Sequence, residues 1–385
     1  MRIDRRTLLG TAGVVGAGLL LPRGVRADGV APGGIAPGSG LIELSTRPTN
    51  YESPLDVFTT RVTPTGRFYI RSHHDTPTVD TATWRLAIDG LVDAPQQLSL
   101  ADLEKLPQVE LEAVLQCAGN GRALMAPRVP GVQWTKGAMG NAVWKGPRLK
   151  DVLALARPKA AGTMLQLQGA DRPLLTMTPS FIRAVPMTKA LHEDTILALQ
   201  MNGRPLPRLH GGPARLVMPG WVADGWTKWA QTLTVLDGEP KGFFWETAYR
   251  YPTTPGKPGE PVAKEQMKPM ERLVVKSVIG APTTGTVHAP GKVDVVGVAF
   301  SGGEKIARVD VSVDGGPWQK AKITDDGGRY GFSVFSHSAT LRPGTHTVRS
   351  RATDATGAVQ PEHAVWNPSG YLHNAIDAVT IEVRA

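Results

Sequence analysis

Leu115-Gln116-Cys117-Ala118-Gly119-Asn120-Gly121-Arg122 holds the only cysteine in a chain of 385 residues. A lone thiol closes no intramolecular disulfide, and the segment lacks the second cysteine of a CxxC metal site or a CxxCH haem attachment. Free cysteines are commonly small buried hydrophobes. This one follows a hydrophobic stretch, Val109 to Leu115, that reads as a strand, and it runs directly into Ala-Gly-Asn-Gly. That is turn chemistry, which predicts a sulfur at a strand end. Arg122, five residues on, favours the thiolate, the form that binds metals or attacks electrophiles. Taken alone, the segment leaves both a packed thiol and a functional one open.

Working outward, the composition is that of an ordinary globular chain of about two domains, with 41% hydrophobic and 20% charged residues. Pro (32) and Gly (43) are plentiful and long amphipathic repeats are absent, so strands and loops are expected rather than a helical bundle. The N-terminus pairs Arg5-Arg6 with an apolar run from Leu8 to Leu21, and Val25-Arg26-Ala27 offers a cleavage site. The run is shorter than the roughly 20 residues of a spanning helix. Residues 1–27 therefore read as a twin-arginine signal, which exports folded proteins, and the mature chain is expected in the periplasm. Of the formal charge of +9, residues 1–27 contribute five arginines and one aspartate, leaving about +5. That excess could steer an anionic substrate or an acidic partner. Nucleic-acid binding is not expected, because no dense Lys/Arg cluster carries interleaved aromatics.

Several polar segments flank the cysteine. Phe68-Tyr69-Ile70-Arg71 alternates like a strand and ends in Ser72-His73-His74, with Arg71 and His73 on one side. A His-x-carboxylate metal site with Asp75 is a second reading of that cluster. Thr83 to Leu98 reads as strand, turn and strand, and Ser99 as the N-cap of a short helix. Pro147 to Leu153 has helical spacing, and Met164 to Gly169 reads as a strand with Asp171 in the following loop. Asn202-Gly203 and the prolines at 205, 207 and 213 force a turn before a strand at Leu216. His210 and Arg215 then sit at a turn-to-strand junction, where polar donors can converge on an anion. From Leu273 onward, strands recur at short intervals separated by Gly/Pro/Asp turns, the pattern of an immunoglobulin-like sandwich.

LQCAGNGR, with these segments in this order, resembles the sulfite oxidase family, and the resemblance covers nearly the whole mature chain. It implies an α+β fold: a mixed catalytic domain at 41–265, then an all-β immunoglobulin-like dimerisation domain at 266–385. It also implies a molybdenum-molybdopterin cofactor whose metal is bound by Cys117. Residues at Tyr69, Ile70, Arg71, Ser72 and His73 would hold cofactor, with Arg71 also reaching the substrate. Asp171 would hydrogen-bond the pterin. His210 and Arg215 match the family's H-G-x-P-x-R pattern, and Trp226, Thr227 and Lys228 match its phosphate-binding segment, where Lys228 acts as a point charge. Arg122, Trp134 in Gly131-Val132-Gln133-Trp134, and Tyr249 would complete the substrate pocket. Trp144 reads as core. One position departs: near Trp366-Asn367-Pro368-Ser369-Gly370 the family often carries a basic residue, and here Ser369 stands there.

The implied activity is oxidation of sulfite to sulfate by oxygen-atom transfer, with electrons leaving singly. No haem domain precedes residue 41, and one cysteine cannot attach a c-type haem, so the expected acceptor is a separate periplasmic c-type cytochrome. A homodimer is expected through the resemblance. Two alternatives stay open: a sulfane dehydrogenase subunit of a thiosulfate-oxidising complex, and a non-enzymatic periplasmic anion-binding protein. Molybdenum sulfoxide reductases of this fold fit less well, since they lack the C-terminal sandwich.

Overall fold

The strand expected before the cysteine spans Gln108–Gln116 in the computed structural model, which describes residues 38–173 and 175–385. Residues 1–27, expected as the signal, lie outside the described residues. The strand is mostly exposed at its start and buried over its last four residues. It pairs antiparallel with Met139–Pro147 from Gln108↔Pro147 through Gln116↔Met139, without a slip. Unbroken pairing fixes which face each side chain takes. It delivers Cys117 just past the strand end, as the turn chemistry predicts. The short strands Gln200–Met201 and Arg204–Pro205 complete this four-stranded sheet.

A second, five-stranded sheet runs in the order Gln96–Leu98, Leu86–Gly90, Ala230–Leu236, Met164–Gly169, Ile182–Pro186. Its one parallel pair joins Leu86–Gly90 to Ala230–Leu236. The helix after Ser99 forms as Leu100–Glu104, closed by a capping box in which Ser99 and Asp102 satisfy each other's backbone N–H groups. Leu86, Ile88, Leu165, Leu167, Leu233 and Trp144 are fully buried between these sheets and their neighbours. Each such side chain contributes about 1.5–3 kcal/mol by leaving water. Trp144 is core, as expected, and its indole N–H donates to Ala113 O at 3.1 Å.

Two local expectations shift. Pro147 ends a strand, and the helix begins only at Leu149 and runs to Ala154. The alternation at Phe68–Arg71 yields a pairing strand of just Ile70–Arg71, because Thr65–Arg67 curls into a 3-10 turn closed by Phe68 N–H on Thr65 O.

The C-terminal strands build two sheets. One runs Lys276–Ala281, Gly291–Phe300, Ser333–Leu341, Lys322–Asp325, and the other Val287–His288, Asp377–Val383, Gly344–Asp354, Ile306–Val313, Gln319–Lys320. Asp377–Val383 alternates buried and outward residues, the period of two that seats one face on a core. Ile279, Val295 and Phe335 from the first sheet meet Val309, Val348 and Val379 from the second. A further apolar cluster joins both parts of the chain: Phe58, Val114, Ala118 and Tyr249 pack with Val278, Phe300, Phe332 and Tyr371. Phe58 meets Phe332 edge-on at 6.0 Å. Residues 38–385 accordingly form one compact unit.

Candidate active site

The loop after Gln116 is pinned by its own backbone. Cys117 N–H donates to Ala138 O at 2.9 Å, Asn120 N–H to Cys117 O at 3.0 Å, and Asn120 Oδ1 accepts from Ala138 N–H at 3.1 Å. Gly121 sits at φ +91°, and an added Cβ there would lie 2.7 Å from His373. Only glycine suits both demands. Burial raises the Cys117 pKa, while the Arg71 guanidinium, the Gly119 N–H and Arg122 act the other way. A metal ion would complete what those groups begin, since a coordinated thiol gives up its proton.

Cys117 lies at the wall of a cavity of about 680 Å3, open mouth included. Three cations line it with the thiol: Arg71, Arg215 and Lys228. Lys228 Nζ donates to Ser72 Oγ at 2.9 Å and Leu209 O at 3.2 Å, and lies 4.0 Å from the Trp229 ring centroid. Burial, then Arg215, pushes its pKa well below that of an ordinary lysine, with Asp171 opposing. Arg215 spends two nitrogens on His210 O (2.8 Å) and Trp226 O (3.1 Å), and burial lowers its pKa to about 10. His210 is pushed to about 3 by burial and by Arg215 and Lys228, so it is neutral. Its Nε2 donates to Thr65 O at 3.1 Å, leaving Nδ1 as an acceptor. Asp171 lines the same cavity, and burial raises its pKa against the pull of Lys228 and His74.

At the other side His73 stacks on Phe181, with ring centroids 3.7 Å apart, and its Nε2 lies 2.5 Å from the Tyr249 hydroxyl. Burial and neighbouring Arg71 hold the His73 pKa well below the usual value, so the ring is neutral. Tyr249 adopts φ +57°, a left-handed conformation that a bulky residue keeps only where its surroundings impose it.

Tyr69, Arg71, Ser72, His73, Cys117, Asp171, His210, Arg215, Trp226, Thr227, Lys228 and Tyr249 all line this one cavity. Three residues named from the sequence do not. Ile70 points into the core, as strand alternation demands of the neighbour of Arg71. Trp134 is fully buried behind Tyr69, edge-on at 6.4 Å. Arg122 lies along the cysteine loop, with Nε on Ser369 O (2.8 Å) and Nη1 on Val132 O (2.9 Å). Its remaining terminal nitrogen lies over Gly119, where an added Cβ would come within 2.5 Å.

Sequence reading missed Phe181, Asp224 and its partner Arg183, and Tyr371. Asp224 reads as a turn residue in Ala-Asp-Gly-Trp, and Arg183 as the polar side of a strand. Neither carries a local sign of the other. The His73–Asp75 metal reading is not supported: Asp75 pairs with Arg47, and no group of three His, Cys, Asp or Glu could hold an ion among the described residues.

The residues fit a molybdopterin cofactor. Arg215 Nε, Thr227 Oγ1 and Trp226 Nε1 are buried polar atoms with no protein partner on cavity-lining residues, and such atoms ordinarily meet a ligand or water. Lys228 and Arg215 suit a phosphate, Asp171 suits a ring N–H, and Cys117 would supply one thiolate to the cofactor's metal.

Comparison with known proteins agrees with that donor set. Residues 73–244 match the family model of the oxidoreductase molybdopterin binding domain, and residues 267–384 that of the Mo-co oxidoreductase dimerisation domain. The chain is 34% identical to sulfite oxidase of Arabidopsis thaliana, over 87% of this chain and 92% of that one. It is also 34% identical to the mitochondrial sulfite oxidase of Homo sapiens, spanning 88% of this chain but 65% of the human protein. Among solved structures, the sulfane dehydrogenase SoxCD from Paracoccus pantotrophus superposes with a TM-score of 0.76 at 29% identity, covering 89% of this chain and 88% of that one. The protein is a molybdenum-molybdopterin oxidoreductase and belongs to the sulfite oxidase family.

Proposed function

We propose that this protein oxidises sulfite to sulfate in the periplasm and passes the two electrons singly to a c-type cytochrome, working as a homodimer. The observation that carries the reading is the cation-lined cavity ending at Cys117, in a chain 34% identical to sulfite oxidases. The dimerisation match at 267–384 supports the homodimer, and Arg5-Arg6 with its apolar run supports export.

Bound molybdenum supplies oxygen-atom transfer and takes up the electron pair. The chain's own residues bind and orient. Arg71 lies close enough to Cys117 to bias its ionisation, so an anion approaching the metal meets that guanidinium. Preorganised cations of this kind stabilise charge without reorganising during reaction. The Tyr249 hydroxyl, held by neutral His73, offers a proton donor toward an oxyanion. Sulfite plus water gives sulfate, two electrons and two protons, so a proton route out is needed. The His73–Tyr249 contact lines the same cavity as the Cys117 thiol. Phe181 and Phe244 cover His73 and keep bulk water from that side.

The test is sulfite-dependent reduction of a c-type cytochrome by the molybdenum-loaded protein, with Cys117→Ser as control. Turnover that disappears in the variant supports the reading, and no turnover despite bound molybdenum ends it.

A second reading, a sulfane dehydrogenase, has two supports. The solved structure with a TM-score of 0.76 is such an enzyme. Ser369 offers Arg122 only a backbone carbonyl, so the pocket gains no cation from that segment. A persulfide-bearing substrate oxidised in place of sulfite would favour it.

A further inference from the structure

The segment Asn367 to His373 comes from the C-terminal part of the chain and presses on the cysteine loop. Leu372 N–H donates to Ala118 O at 2.9 Å, Ser369 O accepts from Arg122, and His373 fills the space beside Gly121. Fully buried Asn367 braces the segment by accepting from Tyr371 N–H and donating to Tyr371 O, both at 2.9 Å. Gly370 takes φ +61° in the turn between them, and an added Cβ there would meet Arg122 Cγ at 2.8 Å.

This turn sends Tyr371 between two residues of the other half. The residue is 7% exposed, and its ring stacks on Tyr249, centroids 5.6 Å apart and planes 10° from parallel. The Arg122 guanidinium carbon lies 5.4 Å from the centroid of the same ring. Beyond Tyr249 the contacts continue: Arg183 lies 5.1 Å from the Tyr249 centroid and 5.0 Å from that of Trp245. Arg122, Tyr371, Tyr249, Arg183 and Trp245 thus form a continuous run of three cation–aromatic contacts and one aromatic stack across both parts of the molecule.

Within that run Arg122 has spent Nε and Nη1 on carbonyls, and Tyr249 holds a left-handed backbone. Neither geometry is dictated locally. Tyr371 is the group that touches both.

We propose that Tyr371 is the positioning residue of the substrate pocket: its ring fixes the Tyr249 phenol, which lines the cavity, relative to the Arg122 side chain that braces the cysteine loop, and so sets the affinity for the oxyanion. The proposal rests on the reading that the Tyr249 phenol faces the substrate. A flat ring gives both contacts at once, through its π-face toward the cation and its offset stack on the phenol. Leucine would fill the space and give neither.

The experiment compares Tyr371→Phe and Tyr371→Leu as molybdenum-loaded holoenzymes. Three readouts are taken: KM and kcat for sulfite, sulfate binding by calorimetry, and amide hydrogen exchange over residues 117–125 and 247–250. Leucine is expected to raise sulfite KM and weaken sulfate binding about tenfold, with kcat changed less, at unchanged molybdenum content. Exchange in both segments is expected to accelerate. Phenylalanine is expected to stay within about twofold on each count, since it keeps the ring. Unchanged exchange in the leucine variant would overturn the positioning role. So would a phenylalanine variant as impaired as leucine, or a leucine variant in which kcat and molybdenum fall while KM holds. If exchange accelerates while the wild type neither oxidises sulfite nor binds sulfate, the positioning role stands and the sulfite reading fails.

Discussion

Arg183 donates through Nη2 to Asp224 Oδ2, and the two side chains are 2% and 4% exposed. They lie 41 positions apart in the chain; Asp224 lines the cavity, and Arg183 backs the Tyr249 ring. A buried pair of this kind is strongly destabilising to break, because the surviving charge has no solvent to retreat to.

Arg183→Met is accordingly expected to cost about 3–5 kcal/mol of unfolding free energy, read from urea titration. Adding Asp224→Asn should recover part of that loss, since no lone charge then remains buried. A double variant no better than the single one would show that the arginine acts through its aromatic contacts instead.

His373 gives a pH prediction. Burial, with Lys276 nearby, lowers its pKa from 6.5 to about 4 in the folded chain. The unfolded chain then binds the extra proton first as pH falls, so stability present above pH 6.5 is lost on acidification. Between pH 6.5 and 5 the loss is about 2 kcal/mol. His373→Gln is expected to remove that share of the pH slope, measured by urea unfolding at the two pH values.

Lys228→Met separates cofactor retention from folding. The molybdenum content of purified protein should fall at least about tenfold, because a phosphate loses its point charge. The cofactor-free variant should remain within about 1 kcal/mol of the cofactor-free parent, since the hydrogen bonds of this partly buried lysine go only to a hydroxyl and a carbonyl. Metal analysis and thermal melting of the two forms check both halves.

Gly121→Ala is expected to destabilise by about 1–3 kcal/mol, since φ +91° and the His373 side chain at 2.7 Å both resist a methyl group. Reduced molybdenum retention should accompany it, as the strain falls four residues from Cys117.

Much of this site is local chemistry, and local chemistry is legible. Cys117 at a strand end follows from a hydrophobic run meeting Ala-Gly-Asn-Gly, and the Ser99 cap from one side chain and its neighbours. The His210–Arg215 junction is readable for the same reason. Arg122, Trp134 and Ile70 show the limit. Each is at its expected place along the chain, yet carbonyls at 132 and 369, the Tyr69 ring and the strand's own alternation keep all three from lining the cavity. Arg183–Asp224 and Tyr249–Tyr371 are contacts between distant segments, and no periodicity within either segment encodes them.

The bond from Leu372 N–H to Ala118 O also bears on the order in which the protein matures. Residues 369–373 leave the ribosome some 250 residues after the cysteine loop that they brace. A nascent chain that has already made Cys117, His210 and Lys228 still lacks that brace on its cysteine loop. A chain cut short before residue 369 therefore forfeits these contacts on the cysteine loop, although every cavity-lining residue has already been made.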